Sequence, residues 1–179
     1  MTMTGSVRWM LLAAALATAS SAAAAEDPRV FADADQIAAL LKTEGHEAKV
    51  SVDKAGDRMI ESQHNDRNYR IFFYGCSEGI VAGPCTSVQF YIAFTRGKPF
   101  PADRIAEWNG NWRFGRAYLD SEKDPVIEMD LNLDAGGMSK ALFLDTLDIW
   151  FEVLGNFDEF VFTDPDAKKA DSPEPKPAD

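Results

Sequence analysis

Val126-Ile127-Glu128-Met129-Asp130-Leu131-Asn132-Leu133, then Gly136-Gly137, then Phe143, Leu147, Trp150, Leu154, Phe157 and Val161 at intervals of four and three, decide the architecture of this chain. In the first stretch Ile127, Met129, Leu131 and Leu133 alternate with Glu128, Asp130 and Asn132, the period-two pattern of a strand with one buried and one wet face. Gly136-Gly137 breaks that strand and Ser139 stands where a helix wants its N-cap. The apolar recurrence from Phe143 to Val161, with Asp145, Asp148 and Glu152 on the opposite side, predicts a long amphipathic helix. About 22 residues at 1.5 Å each make a rod of roughly 33 Å, enough to lie across a sheet of five or six strands.

Working toward the N-terminus, the pattern supplies that sheet. Arg113 to Leu119 reads as a strand joined to Val126–Leu133 through Asp120-Ser121-Glu122-Lys123-Asp124-Pro125. Pro101 is placed to open a helix in which Ile105, Trp108 and Trp112 recur at helical spacing, with Asn109-Gly110 loosening its end. Ser87 to Thr95, Tyr69 to Tyr74, and the hairpin of residues 48–52 and Arg58 to Gln63 about Lys54-Ala55-Gly56-Asp57 are further strands. Asp33 or Asp35 can cap a first helix that carries Ile37, Leu40 and Leu41 on one face and stops near Gly45. Helix, strands, helix, strands, helix is an α+β plan: an antiparallel sheet backed by N-terminal, central and long C-terminal helices.

The 179 residues are 46% hydrophobic and 26% charged, as expected of a single globular domain. Twenty-nine acidic against 18 basic residues give a net charge of -11, which argues against nucleic acid or anionic lipid as a general partner. Residues 1–25 read as a signal peptide, with Arg8 in the n-region, an apolar stretch from Trp9 to Ala17, and cleavage after Ala25. Retention of that stretch as a membrane anchor is the weaker alternative, because it is Ala-rich and interrupted by Thr18, Ser20 and Ser21. Residues 163–179 carry Pro and charge but no aliphatic or aromatic core former, so a disordered acidic tail is expected after a domain over 26–162. A periplasmic or secreted location follows, with no stable anchor once the signal is removed.

Within that domain, Phe73-Tyr74-Gly75-Cys76, Cys85-Thr86-Ser87-Val88-Gln89-Phe90, Trp108-Asn109, Arg113-Phe114-Gly115-Arg116-Ala117-Tyr118-Leu119-Asp120, Met129-Asp130-Leu131-Asn132-Leu133 and Gly136-Gly137 resemble the YbjN-domain family of bacterial sensory transduction regulators. The run from Trp108 to Asp120 is the most specific. The resemblance implies a fold like that of type III secretion chaperones and a regulatory role, and it brings no catalytic residues with it. The better-known members lack a leader, so a leader here sets this chain apart from an intracellular regulator.

Cys76 and Cys85 enclose eight residues between two strands, and in an oxidising compartment a structural disulfide is favoured over a redox or zinc pair. Asp130, Asn132 and Asp134 begin like a calcium loop, but Ala135 and Ala141 stand where Gly and a bidentate Glu are needed. His46 and His64 are the only histidines, and no nucleophile elbow, zincin motif or phosphate loop occurs, so neither catalytic residues, metal nor cofactor are expected. The aromatic residues are the more informative feature. Phe114, Arg116 and Tyr118 would share one strand face, with Phe72, Tyr74 and Tyr91 extending it, while Gly115 and Ala117 suit the side beneath a helix. Rings on a second sheet face mark a surface for a protein partner or for self-association as a homodimer, unless the Trp108–Trp112 helix covers it. The leading expectation is an exported, non-enzymatic binding or regulatory module; a carboxylate-dependent envelope hydrolase and a purely structural envelope factor are the alternatives.

Overall fold

The computed structural model describes residues 28–77 and 85–163, so the expected signal peptide and nearly all of the expected tail lie outside the described residues. The elements run β1 (Arg29–Val30), α1 (Ala34–Thr43), β2 (Ala48–Val52), β3 (Arg58–His64), β4 (Arg67–Tyr74), β5 (Ser87–Ala93), α2 (Ala102–Asn111), β6 (Arg116–Leu119), β7 (Pro125–Asn132), β8 (Met138–Ser139) and α3 (Lys140–Phe162). Six of these strands form one sheet in the order β2-β3-β4-β5-β7-β6, antiparallel at every joint. The α+β plan with a long C-terminal helix is therefore what the chain adopts.

The helix that decides the reading behaves as its period requires. Phe143, Leu147, Trp150, Leu154, Phe157 and Val161 are all buried, and Ser139 caps α3 by accepting from the Leu142 N–H. Trp150 stacks on Phe90 of β5 with ring centroids 5.5 Å apart, which seats α3 on the face that also carries Ile60, Ile71, Val88 and Ile127. Each fully buried large aromatic contributes about 2–3 kcal/mol relative to exposure. Arg67 of β4 grips Asp158 of α3 through two parallel bonds of 2.9 and 2.8 Å, a fork geometry that fixes the helix azimuth. Asp33, rather than Asp35, caps α1. Asp35 instead pairs with Arg58 of β3.

The central helix does not cover the second sheet face. Trp108 is fully buried against Phe157 and Phe160 of α3, with centroids 4.8 and 5.4 Å away, and Trp112 stacks on Trp108, so α2 joins α3 on the same side. Three further local features depart from the sequence reading. The strand expected from Arg113 begins only at Arg116, because Phe114 and Gly115 both take left-handed backbone conformations (φ 56° and 66°) that end the pleat. Asn109-Gly110 does not loosen α2, which runs on to Asn111. Arg29–Val30 and Met138–Ser139 pair as a two-stranded ribbon too short to show a period, held by Arg29 donating to the carbonyls of Gly136 and Gly137.

Cys76 and Cys85 are joined in a disulfide, their Cα atoms 4.0 Å apart. The Cys85 N–H donates to the Ala32 carbonyl (2.9 Å) and the Thr86 N–H to the Tyr74 carbonyl (3.0 Å), so the bridge ties β4, β5 and the segment before α1 at one corner.

Candidate functional site

Strand register assembles the open face from residues far apart in sequence. Side chains directly opposite one another across an antiparallel ladder are neighbours on one face. The pairs Lys49 with Glu61, Glu61 with Arg70, Arg70 with Tyr91, Tyr91 with Glu128, and Glu128 with Arg116 form an unbroken row across all six strands, opposite in sense to the buried row. Signs alternate along it, interrupted only by the phenol. A parallel row holds Ser51, Met59, Phe72, Gln89 and Asp130. Lys49, Arg70 and Arg116 thus stand among Glu61, Glu128 and Asp130 on these two rows, and the carboxylates of Asp53 and Asp120 lie close enough to act on Tyr74 and Tyr91.

The row is not uniform in strength. Lys49 and Glu61 sit 3.6 Å apart and are both exposed, a geometry that contributes little. Glu128 is different: its side chain is 4% exposed, and Arg116, 71% exposed, lies over it and supplies its charged hydrogen bond. Arg70 has no ion pair among the described residues and stands beside Tyr91. An open depression of about 890 Å³ is bordered by Lys49, Glu61, Gln63, Asn68, Arg70 and Tyr91.

Of the residues expected to form a partner surface, five share this face. Phe72 meets Tyr91 edge-on at 5.5 Å; Tyr74, 48% exposed, donates from its hydroxyl to Gln89 Oε1 (3.2 Å), and Gln89 Nε2 donates to Asp130 Oδ1 (2.9 Å). Arg116 and Tyr118 are adjacent, the guanidinium 5.5 Å from the ring centroid. Phe114 is the exception. It precedes β6, its ring lies 5.0 Å from the Arg113 guanidinium, and the break in the pleat removes it from the alternation that places Arg116 and Tyr118.

Burial, followed by the nearby carboxylate of Glu128, pushes the Tyr118 hydroxyl well above the usual phenol range. Tyr74 is raised by burial and then by Glu128 and Asp130; Tyr91 is raised by burial and then by Asp120, against an opposing pull from Arg70. These phenols therefore remain protonated donors at any ordinary pH. Sequence reasoning missed Lys49, Glu61 and Arg70, since only the register aligns them.

Elsewhere, Asn132 Oδ1 accepts from the Asp134 N–H and Asp134 Oδ1 from the Ala135 N–H, so the calcium-like residues close a turn. Among the described residues no group of three or more His, Cys, Asp or Glu is placed to hold a metal ion, and no helix is long and apolar enough to cross a membrane. His46 and His64 lie beside Phe151 of α3 and do not approach the disulfide as ligands: both sulfurs are bonded to each other.

One antiparallel sheet, backed by helices on one side and bearing a row of alternating charges among aromatic rings on the other, defines an α+β domain with one open sheet face. The chain belongs to the YbjN family, whose model matches residues 33–163, from the α1 cap to the end of α3. That family is described as "Putative bacterial sensory transduction regulator", a regulatory rather than catalytic description. No curated protein matches the chain, and no solved structure matches it.

Proposed function

We propose that this protein is an exported, non-enzymatic regulatory module that acts by docking a polypeptide partner on the open sheet face. The observation that carries the reading is the row from Lys49 to Arg116 with Phe72, Tyr74, Tyr91 and Tyr118 around it, on the side that α1, α2 and α3 leave uncovered. Cations and carboxylates alternate along the row, so a polypeptide partner finds both signs of charge there. Half-buried aromatic rings and protonated phenols provide apolar contact and hydrogen-bond donors together, the combination that polypeptide interfaces favour. Export is supported by the leader-like residues 1–25 and by the Cys76–Cys85 disulfide, a bond that oxidising compartments maintain.

A photo-crosslinking residue at position 74, on the open face, and another at position 142, exposed on α3, test the docking in cells. A discrete adduct from position 74 only, lost with Phe72→Glu and Tyr118→Glu together, is expected; adducts from position 142 alone, or none from 74, would refute the docking face. Fractionation with N-terminal sequencing tests export, which requires a mature chain beginning at Glu26.

A further inference from the structure

The two edges of the main sheet are treated differently. In an antiparallel ladder, residues alternate between those that bond to the neighbouring strand and those whose N–H and C=O point away from it. Just beyond the β6–β7 ladder the Asp120 N–H donates to the Asp124 carbonyl (3.0 Å), so by alternation Tyr118 and Arg116 bond to β7 while Ala117, mid-strand, and Leu119, at its end, face outward. The Ala117 pair is occupied. Asn109 of α2 accepts from the Ala117 N–H and donates to its carbonyl, both at 3.0 Å.

At the opposite edge the Asp53 N–H donates to the Asp57 carbonyl (2.8 Å), so Ser51 and Lys49 bond to β3 and Ala48, Val50 and Val52 turn their N–H and C=O groups outward. Among the described residues nothing takes those groups. All three outward-facing residues are apolar, and Val52 is 59% exposed. An edge of this kind is a template for another strand.

We infer that β2 pairs with β2 of a second copy of this chain, antiparallel about a two-fold axis through Val50, so that two six-stranded sheets become one. The occupant follows from self-complementarity. In that register Val50 faces Val50 of the second copy, and Ala48 faces Val52 twice, so every outward N–H and C=O of β2 gains a partner and exposed Val52 gains an apolar neighbour. Lys49 falls opposite Ser51 rather than opposite itself, which avoids like charges in direct register. A shift by one residue would leave the outward groups of one strand facing the wrong groups of the other. A two-fold pairing of this kind closes at two copies, and the Asn109 cap on Ala117 disfavours growth from the β6 edge.

Sedimentation equilibrium of the purified full chain, in Val50→Pro and Val50→Cys forms beside the unaltered protein, tests this. Val50 does not bond to β3, so Pro there removes only an outward N–H and leaves the ladder intact. The unaltered chain is expected to dimerise by about 100 µM, the weak range of a small interface, and Val50→Pro to stay monomeric with an unchanged circular dichroism spectrum. Val50→Cys is expected to give a disulfide-linked dimer under mild oxidation, because partners in such a pair have Cα atoms about 5.5 Å apart, and Lys54→Cys is expected to give none. A chain monomeric to about 1 mM, or a dimer that survives Val50→Pro and fails to link through position 50, overturns the inference. Dissociation by Phe72→Glu but not by Val50→Pro would place the dimer on the open face and leave β2 unused.

Discussion

The side-chain amide of Asn109 meets the peptide of Ala117 in both directions, Nδ2 donating to its carbonyl and Oδ1 accepting from its N–H, each at 3.0 Å. A helix side chain thereby performs the task of a neighbouring strand, satisfying an edge that would otherwise present bare backbone groups. It also ties α2 to β6, on the side where Trp108 is buried against α3.

Asn109→Leu removes both bonds and strands a part-buried N–H and C=O, for an expected loss of about 1–3 kcal/mol in urea unfolding. Asn109→Asp keeps the acceptor but sets a carboxylate against the Ala117 carbonyl, so its loss should be at least as large. Equal midpoints for all three proteins would show that the amide contributes nothing.

Gly137 and Gly56 separate the cost of a left-handed backbone from the cost of contact. Gly137 has φ 66° and a Cβ there would lie 2.2 Å from the Val30 carbonyl oxygen, whereas at Gly56, φ 91°, nothing stands within 4 Å. Gly56→Ala should cost about 1 kcal/mol from backbone conformation alone. Gly137→Ala must also push β1 away from β8, and should cost about 3 kcal/mol or more. Thermal unfolding of the two variants side by side makes the comparison.

The disulfide closes a loop of eight intervening residues, for which chain entropy gives about 2–3 kcal/mol. Reductant, or Cys76→Ser with Cys85→Ser, should lower the unfolding free energy by that amount. The loss should appear first as faster amide exchange at Cys85, whose N–H is held by the Ala32 carbonyl.

His64 makes stability depend on pH. Its ring stacks on Phe151 at 3.8 Å, and His46 lies 6.4 Å away; burial first, and repulsion from His46 second, hold its pKa below the ordinary value of 6.5. Its Nε2 also lies 3.1 Å from Asn65 Nδ2, a donor that requires the neutral ring as acceptor. The unfolded chain therefore binds a proton before the folded one does. Stability is at its full value above pH 6.5 and falls as pH drops below 6.5 toward the folded pKa. His64→Phe keeps the stack and removes the charge, so its unfolding free energy should decline less between pH 7.5 and 5. An identical decline would assign the effect to other groups.

The long helix was legible because one interaction dominates it: α3 is read from burial on one side. β7 keeps the expected alternation, yet Val126 and Glu128 on its other face are buried too, so the expected wet face is wet only from Asp130 onward. Phe114 shows where that fails. Alternation from Arg113 makes it a strand neighbour of Arg116, yet its φ of 56° breaks the pleat, and the adjoining Gly115 packs so closely that a Cβ there would lie 2.7 Å from Val153, a contact that no local pattern encodes. Asn109 next to Gly110 reads as a helix end, and only the position of Ala117 turns it into an edge cap. Lys49, Glu61 and Arg70 look like ordinary wet-face residues until the register lines them up with Glu128 and Arg116.

That alignment makes Arg116 and Glu128 unequal partners, and the inequality can be measured. Glu128 is 3% exposed, so its carboxylate has lost most of its water and depends on the Arg116 guanidinium for compensation. Arg116 stays hydrated and loses little without Glu128. Removing the cation thus leaves a desolvated charge, whereas neutralising the carboxylate leaves a solvated one. Arg116→Met is expected to destabilise the fold more than Glu128→Gln, which should cost about 1 kcal/mol or less because an amide still accepts from Arg116. The double variant should recover part of the Arg116→Met loss, since no buried charge remains unpaired. Urea unfolding of the four proteins forms a double-mutant cycle, and equal losses for the two single variants would mean that Glu128 is as well hydrated as its partner.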